Sequence, residues 1–138
     1  MHLLRRGGCS APAGKVLAAA ISRFAPLLGG LFDGFLAEPE FRTIVERDLR
    51  DGQHRPLERS EWFTSVFFHR PEELRTEVAE AGFAADAILG IEGPGWLDED
   101  RWLDEEGRRL ALYAARAVEA EPSLSSLSAH LLAVGQKP

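Results

Sequence analysis

Apolar residues recur along the chain in two rhythms, and the boundaries between them fall at glycine and proline. Residues 15–22 (KVLAAAIS) form an apolar run between Gly14 and Arg23. That length suits a strand buried on both faces, as in a covered parallel sheet, although three alanines also favour helix. Phe24, Leu27, Leu28, Leu31 and Phe35 then follow helical spacing. Gly29 and Gly30 sit inside that pattern, each costing about 1 kcal/mol relative to alanine. Either the helix is weak there or something packs closely against it. Pro39 opens a second helix with an apolar stripe of Phe41, Ile44, Val45 and Leu49, and Gly52 stops it.

Residues 51–60 are polar and turn-like, whereas residues 62–69 (WFTSVFFH) are aromatic and β-branched and read as a strand. Pro71-Glu72-Glu73 start a helix with acids at the positive end of its dipole. Leu74, Val78 and Ala81 share one face of it, and Gly82 ends it. Residues 87–91 (AILGI) read as a strand and Gly93-Pro94-Gly95-Trp96 as a rigid turn. Asp104-Glu105-Glu106 cap a helix presenting Leu110, Ala114, Ala117 and Val118, which Pro122 cannot continue. Residues 129–135 (AHLLAVG) form the last strand. The order β-α-α-β-α-β-α-β predicts an α/β fold, a parallel sheet covered by helices. The last two strands could instead pair antiparallel at an edge.

Composition narrows the function. Lys and Arg total 16 against 22 Asp and Glu, a formal charge of −6. An acidic chain without a basic stripe is poorly suited to gripping nucleic-acid phosphates. No apolar run approaches the length of a membrane helix. Cys9 is the only cysteine, so no internal disulfide forms, which fits a cytoplasmic protein. His2, His54, His69 and His130 lack metal-ligand spacing. His130 alternates with apolar residues in the last strand and reads as structural. Neither a nucleophile elbow nor a phosphate-binding loop is present.

Residues 69–83 (HRPEELRTEVAEAGF), between an aromatic-rich strand and a further strand, resemble class I S-adenosylmethionine-dependent methyltransferases of the small-molecule type. In that family such a stretch is the last crossover helix, followed by "aGF" leading into the sixth strand. The ending SAHLLAVGQKP resembles the seventh strand and KVLAAAIS the fifth. Leu4-Arg5-Arg6-Gly7-Gly8 echoes the turn before the fifth strand, without its proline. The resemblance covers residues 15–138 and leaves residues 1–14 as an irregular lead-in. It implies a partial Rossmann-like methyltransferase sheet, strands five to seven with the last antiparallel, and a helical substrate roof inserted at residues 24–60. No glycine-rich cofactor loop occurs. Gly90, Gly93 and Gly95 follow a late strand and read as a turn. The resemblance therefore implies the C-terminal, substrate-facing half of the domain, without the main S-adenosylmethionine contacts. A truncated product, a misplaced start and one half of a split protein all fit.

The resemblance also sorts the candidate residues. His69 lies where a strand meets a helix, an edge where ligands bind in open α/β sheets. It would act as a base or orient a substrate; otherwise its ring caps the helix or packs on aromatics. Gln53-His54-Arg55 fall in the implied roof, facing a polar or anionic substrate or else solvent. Trp96 walls an apolar pocket or anchors its turn. Arg23 lies near where substrate sits in the family, with a surface charge as the plainer reading. Methyl transfer asks mainly for positioning and exclusion of water, so a missing catalytic constellation weighs little against the family. The implied partners are a small-molecule methyl acceptor and a second copy or partner chain covering the exposed sheet edge. Two other readings stand beside this one: a non-catalytic binding or dimerisation module derived from the fold, and an unrelated α+β ligand-binding fold.

Overall fold

The computed structural model describes residues 14–55 and 65–138. Within them the chain is a mixed α/β structure built on a three-stranded sheet. The strands are β1 (Lys15–Ile21), β4 (Ala84–Gly90) and β5 (His130–Gln136). β5 lies in the middle and runs antiparallel to both neighbours, with Val16 opposite Gly135 and Leu89 opposite Leu132. β1 and β4 therefore run parallel to each other. The apolar run at residues 15–22 is a strand despite its alanines: pairing with β5 and burial of Ala18 and Ala20 outweigh the helical preference of single residues.

One face of the sheet carries the core. Ala18, Ala20, Leu131 and Ala133 meet Leu74 and Val78 of α3 (Pro71–Glu80). Alanine on the strands lets the helix approach, while Leu74, Val78 and Leu131 are at most 1% exposed. Burying side chains of this kind contributes about 1.5–3 kcal/mol each. At the start of α3 the Glu73 carboxylate accepts the Arg70 backbone N–H at 2.8 Å. The acids read from the sequence thus do hold the helix end.

Two helices, α1 (Ala25–Phe32) and α2 (Pro39–Asp51), follow β1 and form a separate layer. Phe41, Ile44 and Val45 are buried there with Leu27, Leu36 and Leu49 packed around them. The glycines inside α1 are explained by close approach: a methyl on Gly30 would stand 2.4 Å from the Phe41 ring, and one on Gly29 would touch Trp96 at 3.5 Å. A two-residue strand β2 (Gln53–His54) then pairs antiparallel with β3 (Val66–Phe67).

Four sequence expectations need correction. Where a parallel sheet is expected, every strand pair of the three-stranded sheet is antiparallel, because the last strand enters between β1 and β4 and not at an edge. The strand expected at residues 62–69 is described only from residue 65, and its regular part is β3 alone. Its continuation bends back so that His69 bridges Ser22 in parallel, beside the end of β1. β4 starts at Ala84, not residue 87, because a bulge between Ala85 and Ala87 breaks the alternation that patterning relies on. The last helix, α4 (Glu105–Val118), begins as expected, with Asp104 accepting the Gly107 N–H at 2.6 Å. Its buried face, however, holds Gly107 and Ala115, while Leu110 and Ala117 are exposed. The partner is the 3₁₀ stretch Gly93–Trp102, which packs so tightly that only small residues fit beneath it. Among the described residues, no helix is long and apolar enough to cross a membrane.

Candidate ligand site

Parallel strands β1 and β4 end on the same side of the sheet, where β5 begins. In open α/β sheets, ligands bind outside the carboxyl ends of the strands. A cavity of about 420 Å³ lies there, within the usual size range for small-molecule sites. Ile21 ends β1 at its floor. Ala25 and Pro26 come from the first turn of α1, Phe41 from α2, Phe68 from the segment after β3, and Trp96 from the turn after β4. The polar groups on this apolar lining are Asp33, His54 and His130. A neighbouring depression of about 400 Å³ shares Gly29, Asp33 and Trp96 but is walled by Asp98, Glu99 and Asp100. Its surface is solvated and acidic, so the apolar cavity is the better ligand site.

Two carboxylate–histidine pairs stand on the cavity. The first is interior: Asp48 of α2 and His54 of β2 are 1% and 2% exposed, with Asp48 Oδ2 2.6 Å from His54 Nδ1. A carboxylate at Nδ1 keeps the proton on that nitrogen and fixes the ring. The ring also packs tilted against Phe68, centroids 5.2 Å apart. The second pair lies at the rim. The Glu92 carboxylate accepts the His130 backbone N–H at 2.9 Å through Oε2 and pairs with Nδ1 through Oε1. The His130 side chain is 47% exposed and that of Glu92 29%.

The candidates from the sequence separate cleanly. His54 and Trp96 line the cavity. Trp96 is both wall and anchor, since its indole N–H donates to the Leu127 carbonyl at 2.7 Å. Arg23 does not line the cavity and is no surface charge: it is 2% exposed. Its Nη2 meets both Glu73 carboxylate oxygens at 2.7 and 2.6 Å, and its Nε donates to the Phe68 carbonyl at 2.9 Å. It pins the end of β1 to α3. His69 is likewise built into the framework. Its Nε2 lies 3.0 Å from Glu77 of α3, and its ring meets Phe67 edge-on at 4.7 Å. Arg55 is exposed, and its carbonyl accepts from Arg47 at 3.0 Å.

Patterning assigned His130 to the framework because it alternates with apolar residues in a strand. The structure instead puts it on the cavity, paired with Glu92. The sequence separates the two by 38 residues, and only the antiparallel pairing of β4 with β5 joins them. Their sole advance signal was that Glu92 follows one strand end while His130 opens the next strand. No group of metal-ligating side chains occurs among the described residues. No known family model matches the chain, and no curated protein matches it.

Proposed function

We propose that the chain is the substrate-facing C-terminal half of a class I S-adenosylmethionine-dependent methyltransferase acting on a small organic acceptor in the cytoplasm. The observation that carries this reading is the apolar cavity at the shared carboxyl ends of β1 and β4, roofed by α1 and α2. Its supporting context is the sheet itself, in which the last strand is antiparallel to both partners. A last strand of that sense is what a rear half of that fold requires.

The described residues do not fit the methyl donor. Its cradle needs glycines whose bare backbone faces a ligand. Here a methyl on Gly90 would meet Ser128 and Ser125, one on Gly93 would meet the backbone of Ala115, and one on Gly95 would meet Ala111. These glycines admit protein atoms instead. In this reading the chain's own residues bind the acceptor, hold it against Trp96 and Phe41, and exclude water.

The test begins with the DNA preceding the Met1 codon. A glycine-rich loop encoded there after a strand is expected, and the longer product should transfer labelled methyl from S-adenosylmethionine to small phenols. Absence of the loop from every frame, together with tight donor binding by the present chain in calorimetry, would overturn the half-domain reading. The binding or dimerisation module remains the second reading. Among the described residues β1 is an edge strand, and its Leu17 is 68% exposed, the kind of edge that another chain pairs with.

A further inference from the structure

We propose that His130, held by Glu92, is the proton-accepting residue of the apolar cavity, and that the ligand is a neutral, mainly apolar molecule carrying a weakly acidic hydroxyl of the phenol or enol type. The inference deepens the acceptor-pocket reading and rests on it for the presence of a ligand.

The geometry leaves His130 on the cavity with one ring nitrogen held and the other open. One carboxylate grips both its backbone N–H and its ring Nδ1, which orients the ring beside the cavity. Glu92 retains the proton at Nδ1, which leaves the lone pair on Nε2. Among the described residues Nε2 has no hydrogen-bond partner. The Glu92 carboxylate at Nδ1 orients the ring and faces the charge that forms when Nε2 takes a proton.

Charge selects the ligand class. The other ionisable groups on the cavity are Asp33, exposed at its mouth, and His54, paired with buried Asp48. No Lys or Arg lines the cavity among the described residues. An anionic ligand would find no counter-charge, so the ligand enters neutral. An ammonium group would be held in its protonated form by Asp33 and Glu92, opposing transfer. A hydroxyl can give its proton: the ligand O–H bond breaks, its electron pair stays on oxygen, and an N–H bond forms at His130 Nε2. The imidazolium stays as the counter-charge of the bound anion, and once the ligand leaves, the half-exposed ring returns the proton to water.

The probe is 4-nitrophenol, whose phenolate absorbs visibly and whose phenol does not. At a pH where the free probe is mostly protonated, adding the chain should raise the phenolate band to saturation. His130→Gln should cut that band about tenfold, one pK unit of proton affinity, while calorimetric affinity changes less than threefold. Glu92→Gln should give an intermediate band, and Ala129→Phe, which fills the cavity, should abolish binding. No phenolate band with the unaltered chain, or an undiminished band in His130→Gln, overturns the assignment; tighter binding of benzylammonium than of the phenol overturns the ligand class. The readout needs no methyl donor. A missing band with methyl transfer intact in the longer product removes only the role of His130, whereas a band without methyl transfer removes only the methyltransferase reading.

Discussion

Gly93 joins the end of β4 to the cavity wall, and replacing it with alanine tests how that wall is held. Its φ is +64°, and an added methyl carbon would lie 2.6 Å from the Ala115 Cα and 3.0 Å from its Cβ. The Gly93 N–H donates to the Ser128 hydroxyl at 2.8 Å, which opposes any retreat of the turn. Left-handed backbone costs an L-residue about 1–2 kcal/mol. Forcing a methyl into packed backbone adds about 1–3 kcal/mol. Gly34 supplies the control: its φ is +82°, but nothing lies within 4 Å of an added methyl. Gly34→Ala should therefore show only the backbone cost. For a chain of this length 1 kcal/mol corresponds to about 3–4 °C in Tm. Circular-dichroism melts should thus fall by about 6–20 °C for Gly93→Ala and by about 3–8 °C for Gly34→Ala. Well below both transitions, Gly93→Ala should also weaken 4-nitrophenol binding, because the displaced turn carries Glu92 and Trp96. Equal losses of stability in the two variants would refute the packing argument.

Arg23→Met should lower stability by about 2–4 kcal/mol in urea titration, because it leaves the interior Phe68 carbonyl without its donor. Glu73, 36% exposed, partly rehydrates, so a loss near zero would show that the pair is no framework pin. Trp96→Phe should lose about 1 kcal/mol with the bond to Leu127, and it should weaken binding of apolar phenols; unchanged affinity would remove Trp96 from the wall. The Glu121 carboxyl is held below the usual glutamate range, first by the Ser123 hydroxyl and then by the Ser123 backbone N–H. A carboxyl so depressed supports its turn above the ordinary carboxylate range and loses that support as pH falls through the lowered value. NMR titration of Ser123→Ala should move the Glu121 midpoint part of the way back up, and no movement would contradict the hydroxyl's role.

The elements were largely legible because their signals are local. Pro39 and Gly52 bracket α2, Pro71 with its acids opens α3, and Asp104 caps α4, each acting within a turn of itself in the sequence. Where the reading slipped, the deciding contact was distant. The apolar pattern placed Leu110 on the buried face of α4, but Gly93 and Gly95 press a 3₁₀ segment onto Gly107, Ala111 and Ala115 instead. Its place after β1 suggests a ligand contact or a surface charge for Arg23, yet Glu73 lies 50 residues away in sequence and meets it inside the protein. A buried ion pair leaves no periodic trace.

The sequence by itself determined where the longer helices and strands lie, because propensity, caps and turn residues act over a few neighbours. It also singled out His54 and Trp96, which the fold places on the cavity, although His54 stands in β2 and not in a turn. Only the tertiary structure decided that the last strand lies between β1 and β4, and hence that Glu92 meets His130 on the same cavity. Strand order is fixed by which edges bury the most surface together, a property of the assembled sheet and not of any stretch of chain.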